Sequence, residues 1–130
     1  MLIRVLLSRS ESMLVGAKVA AGLVHGIAAA NEELVRLQRV SGLYQSGVRY
    51  LPERPGEETF IDALHIIQQG GADCSSLAAY RIGELWAAGE KAGIAIHWKG
   101  FRDGHRLYHL KVRRADGSIE DPSRLLGMPV

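Results

Sequence analysis

The chain is poor in cysteine: of its 130 residues, only Cys74 carries a thiol. One cysteine permits no internal disulfide. That excludes a disulfide-stapled scaffold and points to a reducing compartment, where a lone thiol is either inert core or a reactive group. A dominant charge of one sign is also missing. Sixteen Lys and Arg against fourteen Asp and Glu give a formal charge of +2. The basic residues are scattered apart from Arg113-Arg114, so no nucleic-acid partner is expected. Long apolar runs are absent too. "MLIRVLL" is short and interrupted by "SRSES", while Lys18 and His25 break the next apolar stretch. Neither an export signal nor a membrane span is expected. Without repeats or low-complexity tracts, residues 1–130 read as a single domain able to bury about two thirds of its unfolded surface.

What is present changes period along the chain. "LIRVLLS" at 2–8 suits a strand. Met13, Ala17, Ala20, Val24, Ile27, Asn31, Leu34 and Leu37 then recur every three or four residues, which predicts a long helix capped by Ser10 or Ser12, with Gly42 just past its end. Residues 41–58 carry prolines, glycines and charges and predict an irregular connection. "TFIDALHIIQQ" predicts a second helix with Phe60, Ala63, Leu64 and Ile67 on one face, ended by Gly70-Gly71. Asp73 can cap a third helix from Cys74 to about Ala88, with Leu77, Ala78, Ile82, Leu85 and Trp86 inward. After Gly89, "AGIAIHW" and "RLYHLKVRR" alternate as strands, followed by an Asp116-Gly117 turn and "SIEDP". A helical first half and a strand-rich second half make an α+β domain.

Cys74 therefore opens a helix. A thiol there meets the positive end of the macrodipole and backbone N–H groups, both of which favour the nucleophilic thiolate. Activation also needs a base in reach and a group that orients the base. His25 and His65 sit within helices and read as surface or core residues. His97, His105 and His109 lie in the strand-rich half. Of these, His109 alternates inside "RLYHLKV", twelve residues before Asp121, and the three residues make a candidate triad. His97, Asp103, His105 and His109 are close in sequence, but their spacing fits no standard metal site. No metal or cofactor is expected.

"GVRYLPERPGEETFIDALHIIQQGGADCSSLAAYRIGEL" followed by "YHLKVRRADGSIEDPSRLLGM" resembles the transglutaminase-like cysteine-hydrolase family, above all its small phage- and prophage-encoded members. In that family a DC pair opens a helix, an H-x-x-x-V strand follows, here approximated by His109 and Val112, and a DP-[ST] element follows that, here Asp121-Pro122-Ser123. The resemblance covers about residues 44–128, and the strand plus long helix of 1–43 also look like those proteins. It implies a papain-like core in which the Cys-bearing helix packs on a small antiparallel sheet. Cys74 would be the nucleophile, His109 the general base and acid, and Asp121 the orienting carboxylate. It also implies a protein or peptide substrate, a host-cytoplasmic or virion-associated location, and phage structural proteins as possible partners. The small phage members read D-C-E-D-L-A where this chain has Ser75-Ser76. That change removes two first-turn carboxylates worth a few tenths to about 1 kcal/mol each, together with negative charge that would oppose the thiolate.

Strand parity poses a sharper question. A strict two-residue Asp116-Gly117 turn would set Val112 opposite Asp121 and leave His109 on the other face. A bulge or an odd loop count at 115–119 restores one face; with a regular ladder, Glu120 becomes the first suspect for the orienting role. An acyl mechanism also needs oxyanion donors. The backbone N–H of Cys74 is one candidate. Gln68, six residues earlier, is another, beside its plainer reading as an exposed helix-end residue. Trp98 and Tyr108 could wall a cleft or simply cover the sheet. Two functions are compatible with these residues: a thiol acyl-hydrolase or acyl-transferase, and a catalytically silent structural or binding module of a phage-derived particle.

Overall fold

The computed structural model describes residues 2–6, 13–52, 57–102 and 105–129. Strand β1 (Leu2–Leu6) precedes the long helix α1 (Met13–Arg36), a 3-10 turn at Leu43–Gln45 and strand β2 (Arg49–Tyr50). Strand β3 (Glu57–Ile61), helix α2 (Ala63–Gln69) and strand β4 (Gly71–Ala72) lead into helix α3 (Cys74–Ala87). Strands β5 (Gly93–Arg102), β6 (His105–Arg113) and β7 (Ile119–Glu120) and the short helix α4 (Pro122–Leu125) complete the chain. β1 pairs antiparallel with β3, β2 pairs parallel with β4, and β5-β6-β7 form an antiparallel meander. The architecture is mixed α and β, and α3 packs against β6 of the meander. No helix among the described residues is long and apolar enough to cross a membrane.

Helix α1 lies along α3. Its stripe of Ala20, Val24, Ile27, Ala28 and Asn31 is buried, and the small residues let the two backbones approach. The contact is closest at Gly83, where a Cβ would lie 2.6 Å from Asn31 Cβ and 2.7 Å from the Ala28 carbonyl oxygen. Two apolar clusters result. Val24, Ile27, Ala78, Ile82, Leu110 and Val112 join α1 and α3 to the meander, while Leu43, Val48, Ile61, Ile66, Leu77 and Tyr80 fill the other side of α3. Each fully buried Val, Leu or Ile contributes about 1.5–3 kcal/mol.

Two expected elements differ. The first helix stops at Arg36, and the chain turns through Gln38 at φ +56°. Gly42 instead precedes the 3-10 turn in an extended conformation, and Leu37, past the helix end, is 56 % exposed. The expected caps Ser10 and Ser12 lie outside the described residues. The second helix starts at Ala63, because Thr59, Phe60 and Ile61 pair as β3 with Arg4, Ile3 and Leu2. Asp62 then caps α2, its Oδ1 accepting from the His65 N–H at 3.0 Å. The inward residues of that helix are Ala63 and Ile66 rather than Leu64, which is exposed. Gly70, at φ +90°, closes the helix in the left-handed region that a side chain would strain.

Candidate active site

Asp73 creates the entrance to α3. Its backbone is extended, and its Oδ1 accepts from the Ser76 N–H at 3.4 Å and from the Ser75 hydroxyl at 2.9 Å. Both serines are buried. Ser76 Oγ donates to the Thr59 carbonyl and accepts from the Ile61 N–H, each at 3.1 Å, which stitches the helix to the edge of β3. A carboxylate at 76 could accept from Ile61 but could not donate to Thr59, so the hydroxyl suits this position. Cys74 is the first residue of the helix, where the amides of the opening turn lie outside the intrahelical ladder. It is 9 % exposed and packs in the cluster with Phe60, Ala78, Leu110 and Val112.

His109 is 4 % exposed. Its Nε2 lies 2.9 Å from Asp121 Oδ2. The turn before β7 explains how this pair closes. Val112 pairs with Glu120 and Arg113 with Ile119, so residues 114–118 form a five-residue connection. Arg114 N–H donates to the Ser118 carbonyl, Gly117 N–H donates to the Arg114 carbonyl, and Gly117 takes φ +87°, the arrangement of a glycine bulge. The odd count sets Lys111, not Val112, opposite Asp121 when the register is extended by one residue. His109 is then the diagonal neighbour on the same face, within reach of a long side chain. Asp121 divides its oxygens, since Oδ1 also accepts from the Arg124 N–H at 3.3 Å and caps α4. A carboxylate only accepts, so the proton of this hydrogen bond sits on His109 Nε2.

Glu120 points to the opposite face. Its carboxylate accepts from Tyr44 Oη, from Arg81 Nε at 2.7 Å and from Arg114 Nη1 at 2.9 Å. Burial works to raise its pKa, but hydrogen bonds from Arg81 and Tyr44 prevail and hold it below the usual carboxylate range. Glu120 therefore belongs to a structural ion network and makes no contact with His109.

Alternation along β6 sends Leu110 and Val112 into the cluster that holds Cys74, and His109 toward Asp121. Helices α3 and α4 and strand β6 pack pairwise on one another. Cys74, Asp121 and His109 thus come from, or cap, three mutually packed elements. Gln68 is exposed at the end of α2. Its neighbour Gln69 instead lines a second cleft of about 290 Å³ with Asp73, Ser76 and Leu51. His65 pairs with Asp62 at 2.7 Å. His25 lies 5.9 Å from the Trp86 ring, its Nε2 is buried without a hydrogen-bond partner, and burial lowers its pKa. Tyr108 covers the core cluster. Asp103 and the side chains of Trp98 and His105 lie outside the described set, and among the described residues no three His, Cys, Asp or Glu side chains gather as metal ligands.

The sequence reading missed two residues. Lys111 and Arg124 join His97, His109 and Asp121 around a cleft of about 400 Å³. Lys111 was detectable, because strand period 2 puts it on the face of His109. Arg124 depends on how α4 folds back and has no local signal. No family model, curated protein or solved structure matches this chain.

Proposed function

We propose that the protein is a thiol acyl-hydrolase or acyl-transferase with a papain-like arrangement of Cys74, His109 and Asp121. The observation that carries this reading is the buried His109–Asp121 hydrogen bond at 2.9 Å, on a strand packed against the helix that Cys74 opens. Asp121 fixes the ring so that Nδ1 is the basic nitrogen, and the thiol of Cys74 gives its proton to that atom. The thiolate attacks the amide carbonyl carbon, and the oxyanion takes a hydrogen bond from the Cys74 N–H. Collapse breaks the C–N bond, the imidazolium protonates the departing amine, and a thioester remains. Water or an amine then attacks the thioester, gives its proton to His109, and releases the acyl product and the thiol.

One observation favours the alternative, a silent structural or binding module of a phage-derived particle. Cys74 is only 9 % exposed and is packed among apolar side chains, surroundings that raise a thiol's pKa and make it inert. The pH profile of iodoacetamide alkylation separates the two, read by intact mass on the single thiol. The enzyme reading expects an inflection below the ordinary thiol value of about 8.5, displaced upward in His109→Ala. Slow alkylation with an inflection at or above that value, indifferent to His109→Ala, selects the silent module.

A further inference from the structure

We infer that the acyl substrate carries a carboxylate beside its scissile amide, with Cys74 taken as the nucleophile proposed above. The cleft of about 400 Å³ next to the His109–Asp121 pair is lined by His97, His109, Lys111, Asp121 and Arg124. That volume falls at the small end of the range for ligand clefts, about 300–1,000 Å³. Its one carboxylate is already engaged, Oδ2 by His109 and Oδ1 by the Arg124 N–H. Its two permanent cations are not engaged. Arg81 pairs with Glu84 and Glu120, Arg114 with Glu90 and Glu120, and Arg36 with Glu32, while Arg39, Arg49 and Arg113 lie outside this cleft without a carboxylate partner among the described residues. Among the described residues, Lys111 and Arg124 have no carboxylate partner for their side chains, and both line this cleft. His97, the cross-strand partner of His109, adds two ring nitrogens at the rim. A chain of net charge +2 thus places two cations without carboxylate partners beside the His109–Asp121 pair. Lys111 and Arg124 outnumber the one carboxylate, Asp121, and a net positive cleft concentrates anionic ligands. Arginine can grip a carboxylate with two parallel N–H donors and lysine meets it as a point charge, whether it is a side-chain carboxylate or the end of a chain.

Because Cys74 is the chain's one thiol, alkylation reads that residue alone. Iodoacetate and iodoacetamide differ in charge, and with each the thiolate forms an S–C bond as iodide leaves. The ratio of their rate constants at Cys74, divided by the same ratio for N-acetylcysteine, removes the reagents' intrinsic difference. We expect about a tenfold preference for iodoacetate at about 0.01 M salt, mostly lost near 1 M, where the screening length falls from about 30 Å to about 3 Å. The preference falls to near unity in Lys111→Gln/Arg124→Gln and to intermediate values in each single variant. A normalised ratio near one in the wild type, or a tenfold ratio that survives the double substitution, overturns the inference. Failure of the thiol reading looks different, as slow iodoacetamide alkylation indifferent to His109→Ala. Two competitors at about 10 mM, suited to weak binding, identify the source of the carboxylate. N-acetyl-Ala-Ala-Ala presents a terminal carboxylate, and N-acetyl-Ala-Glu-Ala-amide a side-chain one. Protection of Cys74 by either supports the inference and names the source, and protection by neither overturns it.

Discussion

Replacing Glu120 by alanine tests whether the ion network on one face of β7 sets the geometry of the pair on the other. Strand β7 is held to β6 by only two residue pairs, so its anchoring comes largely from the Glu120 carboxylate and its donor residues Tyr44, Arg81 and Arg114. Breaking a fully buried ion pair costs about 3–5 kcal/mol. Here the loss is smaller, because Arg81 keeps Glu84 at 3.2 Å and Arg114 keeps Glu90 at 2.6 Å. The figure for charged hydrogen bonds, about 1.5–3 kcal/mol, is therefore the appropriate one. With an unfolding entropy of about 2.1 cal/mol/K per residue over 130 residues, 2 kcal/mol corresponds to about 7 °C in Tm. Differential scanning calorimetry measures it. The pH dependence has a definite sign. The folded pKa of Glu120 is depressed, so its contribution is fully present above the unfolded value of about 4.3 and is lost as pH falls through the folded pKa. The gap in Tm between wild type and Glu120→Gln should hold at neutral pH, begin to narrow near the unfolded value of about 4.3, and close only as pH falls through the depressed folded pKa. In Glu120→Ala, the alkylation profile of Cys74 should also move toward that of Asp121→Asn. A Tm within about 3 °C of wild type, or half of the smallest expected shift, would refute the reasoning about the network, and an unmoved alkylation profile would refute its link to the site.

Gly83→Ala should destabilise by about 1–3 kcal/mol, because the new Cβ would stand 2.7 Å from the Ala28 carbonyl oxygen and 2.9 Å from the Glu32 backbone nitrogen, and neither backbone atom can swing aside; urea unfolding with an unchanged m-value is the check. Ser76→Ala removes the bridge to Thr59 and Ile61 and leaves buried backbone groups without that partner, at about 1–3 kcal/mol. It should speed hydrogen exchange at the Ile61 amide more than at amides in the middle of α3.

The third helix was legible because all its signals are local: Asp73 to cap it, apolar residues at helical spacing, and Gly89 beyond its end. The strand at 57–61 was not legible. "TFI" followed by "DALHIIQQ" satisfies helical spacing as well, and only pairing with β1, some fifty residues away, decides for the strand. The end of the first helix was hidden for a related reason. Gln38 rather than a glycine takes the positive φ, so the chain stops without the usual residue to mark the place.

The candidate site divides along the same line between local and distant information. The face on which Asp121 stands depends on whether the connection before it holds an even or an odd number of residues, and the parity argument needs nothing beyond strand period 2 to show that Asp116-Gly117 could not be a simple two-residue turn if His109 was to meet Asp121. Gly117 supplies the extra residue by adopting a conformation that other residues resist. The burial of Cys74 had no such local signature. It follows from the way Phe60 on β3 and Leu110 and Val112 on β6 close over the mouth of α3, and those contacts span tens of residues. A thiol at the tip of a helix and a thiol in an apolar cluster are one and the same atom here. In the proposed mechanism the macrodipole and the His109–Asp121 pair would favour the thiolate, while an apolar lining favours a neutral thiol. The balance of these opposed terms is what the alkylation profile measures. His109→Ala removes one term and leaves the lining in place, so the size of its effect gives the imidazole's share directly.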